Sequence, residues 1–233
     1  MNVKPEQLIV ALDVPDPSRA GELVSELAPL GVSFKVGLEL FMNAGPASVQ
    51  SLAQEHKVFL DLKFHDIPNT VAAAVKTAAS LGVWMLNIHA SGGREMMLAA
   101  KNAIECMENR PYLLAVTVLT SMDDKQAEEV GSGVKILQKV PLLAGLAAEC
   151  GLDGVVCSPR EIIAVKQAVE QPVITVTPGV RPAGSDQNDQ ARTGTPAQVI
   201  NAGGDFLVVG RPIIASNNPA GATEQILREM KVR

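Results

Sequence analysis

The sequence predicts an α/β protein, a (β/α)8 TIM barrel formed by a single domain over residues 1–233. Short runs rich in Val, Ile, Leu and Phe recur along the chain, and segments with apolar residues at helical spacing separate them. Eight such units share the 233 residues at roughly 29 each, which suits one strand and its crossover helix. An open, doubly wound sheet of eight strands is the alternative.

Eight apolar runs are predicted to be parallel strands, because strands covered on both faces read as near-continuous hydrophobic stretches. In chain order they are residues 8–13, 33–37, 57–62, 83–89, 112–119, 154–157, 173–176 and 206–210. Right-handed crossovers between eight parallel strands close naturally into a barrel.

Crossover helices are predicted between these strands, each starting near Ser, Pro or Asp. The clearest are residues 17–30, 45–55, 70–81, 94–108, 134–149 and 159–169. No linker or break in composition divides the chain, which favours one domain. Long polar connections follow the fifth strand, at 121–133, and the seventh, at 178–195. Both are expected on the carboxyl-terminal face, where barrel enzymes carry their active sites.

Composition excludes several classes of protein. With 20 Lys and Arg against 25 Asp and Glu, the net charge is −5, so no basic field exists to hold nucleic acid. No apolar run reaches the length of a membrane span, and the first residues do not resemble a signal peptide. Three cysteines without a C-x-x-C pair indicate a reducing compartment. We expect a soluble, cytoplasmic protein with neither nucleic acid nor a membrane as partner.

The densest polar cluster follows the third predicted strand. Asp61 and Lys63 are two residues apart, so both side chains face the barrel interior, and Asp66 lies three residues further on. Asp13 and Lys35 come from the first and second strands, so four charges of alternating sign meet at neighbouring strand ends. Such a pairing tunes a lysine for proton transfer, although a purely structural ion pair is the alternative.

The loops after strands seven and eight often form a phosphate site in barrels of this kind. Gly210 allows close approach and Arg211 offers a bidentate donor, while Arg181 and Gln190 lie in the long loop. A glycine turn followed by a solvated arginine is the alternative.

His89 ends the fourth strand, either as an acid or base or as a buried histidine. The three His and three Cys residues lack metal-ligand spacing, so no metal site is expected.

Five segments together closely resemble the bacterial orotidine 5′-monophosphate decarboxylase family. They occur in the family's order and at its spacings, span the chain, and show no departure at the core positions. They are LIVALDV (8–14), FKVGLELF (34–41), DLKFHDIPNTV (61–71), TPGVRP (177–182) and VVGRPI (208–213). The D-x-K-x-x-D-I-P-N-T block is the most specific of the five.

The resemblance implies a decarboxylase without a cofactor, which converts orotidine 5′-monophosphate to UMP and CO₂ in pyrimidine biosynthesis. By similarity, Lys63 donates a proton to C6, Asp61 and Asp66 flank it, and the enzyme is a homodimer with shared active sites. Asp66 and Thr70 then come from the partner subunit. The other implied contacts are Asp13 and Lys35 to the ribose, Thr120 and Ser121 to the pyrimidine edge, and Arg181, Gln190, Gly210 and Arg211 to the phosphate.

Two other functions remain open from the sequence. Sugar-phosphate decarboxylases and aldolases share the D-x-K-x-x-D block but use Mg²⁺, held by a Glu on the second strand where this chain has Lys35. A catalytically silent barrel that binds a phosphorylated ligand is the second, although every expected charged group is present.

Overall fold

A computed structural model describes residues 3–182 and 192–232. Eight parallel strands form a closed barrel in chain order, with the first strand paired to the last. The strands are β1 (Leu8–Ala11), β2 (Ser33–Gly37), β3 (Val58–Phe64), β4 (Met85–His89), β5 (Tyr112–Val116), β6 (Gly154–Val156), β7 (Ile174–Thr177) and β8 (Phe206–Val209). The predicted barrel is therefore confirmed, and the open sheet is wrong.

Helices surround the barrel and bury their apolar faces against it. They are α1 (Pro17–Leu27), α2 (Leu38–Glu55), α3 (Pro68–Ala79), α4 (Gly93–Ile104), α5 (Asp124–Glu129), α6 (Ile136–Glu149), α7 (Ile162–Ala168), α8 (Pro196–Asn201), α9 (Arg211–Ile214) and α10 (Pro219–Glu229). Short 3₁₀ turns occupy Pro5–Gln7, Ala28–Leu30 and Ala90–Gly92.

Several predicted boundaries differ from the observed ones. Strands β1 and β5 end earlier than predicted, because the chain turns away from its neighbours once the last cross-strand pairs are made. Helix α2 begins before the predicted residue 45, and Gly45 with φ of 74° breaks its regular geometry. The predicted loop at 121–133 contains α5, whose first turn is closed by a capping box between Asp123 and Gln126.

The barrel interior changes from apolar to polar along the strands. Inward-facing residues form one buried apolar cluster that begins at the amino ends of the strands: Ile9, Ala11, Phe59, Met85, Leu114, Val116, Val156, Val176 and Val208. Trp84 packs edge-to-face on Phe206 and on Tyr112 at that end, with ring centroids 5.1 and 6.3 Å apart. Because these side chains close the amino-terminal end, the polar interior can open only at the carboxyl-terminal end.

No helix in the described ranges is both long and apolar enough to cross a membrane.

Candidate active site

Four charged side chains meet at the carboxyl ends of the first three strands. The Nζ of Lys35 lies 2.8 Å from Asp13 Oδ1 and 3.3 Å from Asp61 Oδ2. The Nζ of Lys63 lies 2.7 Å from the other oxygen of Asp61, Oδ1. The structure therefore brings together the four residues that the strand-end pattern selected, as a row in the order Asp13, Lys35, Asp61 and Lys63.

The middle of this row is buried and its ends are open. Side-chain exposure is 8% for Lys35 and 11% for Asp61, but 36% for Lys63 and 51% for Asp13. Burial alone would raise the pKa of Asp61, but the ammonium groups of Lys35 and Lys63 lower it below its usual value. Burial would likewise lower the pKa of Lys35, and the two carboxylates raise it instead. Both central groups therefore stay charged at neutral pH.

The backbone of β3 is irregular at Lys63. Its φ is 51°, a left-handed conformation that is uncommon for residues other than glycine, and the pairing of β3 with β4 shifts between Leu60 and Phe64. Asp61 and Lys63 do share the interior face, as predicted. Regular strand alternation does not explain their contact, however, because the chain between them leaves strand geometry.

Asn87 on β4 belongs to this cluster, and the sequence analysis missed it. It is fully buried, its Nδ2 donates to Asp61 Oδ1 at 2.7 Å, and its Oδ1 accepts from the Lys63 amide at 2.8 Å. A signal was present in the sequence. Alternate residues of a strand face the same side. These are Phe59, Asp61 and Lys63 on β3, and Met85, Asn87 and His89 on β4, so Asn87 faces the same interior as Asp61.

Gly37 leaves space for the Asp13–Lys35 pair. A Cβ built on Gly37 would lie 2.9 Å from both Asp13 Oδ1 and Lys35 Nζ. The φ of Gly37 is −90°, which any residue can adopt, so the requirement for glycine here is steric.

Asp66 and Thr70 lie apart from the row in the same chain. Both are exposed around the start of α3, and Asp66 Oδ1 accepts from the Ile67 amide at 2.6 Å. Within residues 3–182 and 192–232, Asp66 forms no ion pair with Lys63. The structure of one chain thus does not bring together the D-x-K-x-x-D residues as a single contact group.

The predicted pyrimidine contacts, Thr120 and Ser121, lie in a turn after β5. Thr120 is partly buried and Ser121 is exposed. The carbonyl of the preceding Leu119 accepts from Arg192 at 2.7 Å. The turn is thereby connected to the segment that leads into α8.

Two arginines follow β7 and β8, next to the β1 end of the row in the closed barrel. Arg181 is buried, and in the described part of the chain its Nε has no hydrogen-bond partner. Burial and the nearby Arg211 lower the pKa of Arg181. Arg211 opens α9, and Gly210 lies close to the row, since a Cβ there would be 3.8 Å from Asp13 Oδ2. Two neighbouring guanidinium groups of this kind suit an anion. Gln190 lies outside the described residues.

His89 is half-buried and stacks on His65, with ring centroids 5.2 Å apart. Burial lowers the pKa of His89, and the positive charges that His65 and Lys63 can carry lower it further. No group of three or more His, Cys, Asp or Glu side chains in the described segments is placed to hold a metal ion.

Comparisons with known proteins show the family of the chain. Residues 6–226 match the profile of the Orotidine 5′-phosphate decarboxylase / HUMPS family. The chain is 48% identical to the orotidine 5′-phosphate decarboxylase of Saccharophagus degradans, over 99% of this chain and 97% of the relative. It is 51% identical to that of Halorhodospira halophila, over 97% and 96% of the two chains.

A solved structure has the same fold. The crystal structure of orotidine 5′-phosphate decarboxylase from Lactobacillus acidophilus superposes with a TM-score of 0.85 at 38% identity, covering 97% of this chain and 99% of that one. From its sequence and its fold, the chain belongs to the orotidine 5′-phosphate decarboxylase / HUMPS family.

Proposed function

We propose that this protein decarboxylates orotidine 5′-monophosphate to UMP and CO₂, without a metal or an organic cofactor, as a step of pyrimidine biosynthesis. The observation that carries the proposal is the row of alternating charges. Its buried middle holds Asp61 between two ammonium groups, and one of its open ends presents Lys63 to the mouth of the barrel. The family membership and the names of the relatives support the choice of substrate.

Lys63 is the proposed proton donor. When the bond between C6 and the carboxylate breaks, CO₂ leaves and the electron pair remains on C6. The adjacent ammonium stabilises this charge and then transfers one proton to C6, giving UMP and a neutral amine that regains its proton from solvent. Asp61 holds the ammonium in place and, together with Lys35, keeps the site fully charged before substrate binds.

The remaining roles are those that the resemblance to the family implies. Asp13 and Lys35 would bind the ribose hydroxyls, and Thr120 and Ser121 the edge of the pyrimidine. Arg181, Gly210, Arg211 and Gln190 would bind the phosphate. The proximity of Arg181 to Arg211 supports the phosphate site, because a doubly charged anion removes the repulsion between two guanidinium groups.

A homodimer with shared active sites is the proposed assembly, in which Asp66 and Thr70 complete the site of the partner subunit. Their exposure and their separation from the row in one chain support it. Exposed apolar side chains after β2 and β3 also support it, since Leu38, Met42 and Ile67 are 60%, 71% and 66% exposed. The protein would act in the cytoplasm, where its free cysteines, Cys106, Cys150 and Cys157, would stay reduced.

Loss of the ultraviolet absorbance of orotidylate tests the activity, with no metal added and again after exhaustive chelation. We expect equal rates in both, and a loss of several orders of magnitude in Lys63→Ala. Lys57→Ala, a change just before the same strand at its amino end, is the matched control. Inhibition by chelator that Mg²⁺ reverses would favour the sugar-phosphate enzymes instead. Binding of UMP without turnover would favour the silent barrel.

A further inference from the structure

Lys63 holds a backbone conformation that its own side chain does not explain. Among the described residues it is the only one other than glycine with a positive φ. Such strain persists where surrounding contacts impose it, and it concentrates at functional sites. The question is which contact imposes it here.

Asn87 forms a hydrogen bond with the backbone of Lys63. Its carbonyl oxygen accepts the Lys63 amide at 2.8 Å, and its amide nitrogen donates to Asp61 Oδ1 at 2.7 Å. The same Asp61 oxygen accepts from Lys63 Nζ at 2.7 Å. One side chain on β4 therefore binds both the backbone of the lysine and the carboxylate that receives its ammonium, and this closes a three-residue ring of hydrogen bonds.

We propose that Asn87 is a positioning residue for the decarboxylation, which holds the Lys63 ammonium against Asp61 by fixing the left-handed backbone of Lys63. This inference rests on the proposed function for its kinetic consequences. The hydrogen bonds of Asn87 go to Asp61 and Lys63, so we expect its loss to affect the reacting end of the substrate more than the phosphate contacts. Its position supports this role, because a fully buried amide is costly unless both its donor and its acceptor are used.

Asn87→Leu removes both hydrogen bonds at nearly constant volume. We expect kcat to fall at least about tenfold, and KM to change less than about threefold, because hydrogen bonds to charged groups contribute roughly one to two decades. Thr175→Val is the matched control. It deletes a buried hydroxyl that also makes two hydrogen bonds, to Asp205, at the opposite end of the barrel. A control with kcat near that of the wild type shows that loss of buried hydrogen bonds alone does not lower kcat.

Asn87→Asp tests separately the hydrogen bonds to the Lys63 amide and to Asp61. It also provides a second variant if Asn87→Leu does not fold. The introduced carboxylate can accept the Lys63 amide but repels Asp61, whereas its protonated form reproduces both hydrogen bonds. Its titratable neighbours are Asp61 and Lys63 on β3, Lys35 on β2 and His89 on β4. We therefore expect the activity of this variant, relative to the wild type at each pH, to rise as the pH falls. A flat ratio would contradict the proposal.

A crystal structure of either variant tests whether Asn87 positions Lys63, even if the wild-type protein does not decarboxylate orotidylate. We expect Lys63 to leave its positive φ and its Nζ to move beyond 3.5 Å from Asp61. An unchanged Lys63, or a kcat of Asn87→Leu within threefold of the wild type, would overturn the role of Asn87. An inactive wild type would instead refute the proposed function.

Discussion

Arg192 and Glu161 form a buried ion pair that joins the segments following three neighbouring strands. Glu161 is fully buried and Arg192 is 8% exposed. Glu161 Oε2 accepts from the Ser158 amide after β6, and Arg192 donates to the carbonyls of Val118 and Leu119 after β5. Arg192 itself follows β7. One ion pair therefore connects the segments after β5, β6 and β7 at the carboxyl-terminal face, on the side of Thr120, Arg181 and Arg211.

Glu161→Gln should therefore destabilise the protein strongly. The change keeps the shape of the side chain but leaves the Arg192 charge buried without compensation, which costs about 3–5 kcal/mol in comparable cases. Glu149→Gln is the matched control, because its ion pair with Arg94 is largely exposed and screened by solvent, so its loss should cost far less stability. The free energies of unfolding in urea measure both. Equal decreases in the free energy of unfolding would show that the buried pair stabilises the protein no more than the exposed one.

Gly37→Ala should reduce kcat/KM without unfolding the protein. The new methyl group would lie 2.9 Å from Lys35 Nζ and Asp13 Oδ1, so at least one of these groups must move. Loss of one charge-assisted hydrogen bond predicts a decrease of about tenfold or more. Gly21→Ala on α1 is the control, since a Cβ there meets nothing within 4 Å and the change favours the helix. A kcat/KM for Gly37→Ala equal to the control would contradict the steric explanation.

The shared active site predicts complementation between two inactive variants. In a heterodimer of Asp66→Asn and Lys63→Ala subunits, both changes fall in one site and the other site is wholly wild type. Half of the dimers in an equal mixture are heterodimers, so about a quarter of the wild-type activity should return. Activity that stays at background after proven subunit exchange would mean that each site belongs to one chain.

The three cysteines should differ sharply in reactivity. Burial raises the pKa of Cys157 to about 12 and also raises that of Cys150, whereas Cys106 is exposed. Because the thiolate is the reactive form, very little of Cys157 is reactive at pH 8. A disulfide reagent should therefore modify one thiol per native chain quickly and three after unfolding, and Cys106→Ser should abolish the rapid phase. Rapid modification of a second native thiol would contradict this assignment.

The sequence alone predicted the features that depend on residues close together in the chain. The eight strands were predictable because burial on both faces removes polar residues from each run. The charged row was predictable because its four residues lie at the ends of neighbouring strands. Asn87 and the Arg192–Glu161 pair were not predicted, since their partners lie on other strands and depend on register and barrel closure. Helix α5 was missed although Asp123 and Gln126 form a recognisable capping box.

Arg211→Ala should weaken catalysis only for a substrate that carries a phosphate. A charge-assisted hydrogen bond from a guanidinium contributes about 1.5–3 kcal/mol, which corresponds to roughly a 10- to 150-fold decrease in kcat/KM for each bond lost. Arg228→Ala on α10 is the control, because this arginine is exposed and pairs only weakly with Glu224 at 3.8 Å.

Orotidine, which lacks the phosphate, makes this prediction specific. If Arg211 binds the phosphate, the wild type and Arg211→Ala should have similar kcat/KM values for orotidine, although both values will be low, because binding energy from the phosphate supports the reaction. Arg181→Ala should show the same selectivity, since the two guanidinium groups are close enough for Arg211 to lower the pKa of Arg181. An equal loss on both substrates would place Arg211 at the reacting end, and an unchanged kcat/KM for orotidylate would place the phosphate elsewhere on the barrel.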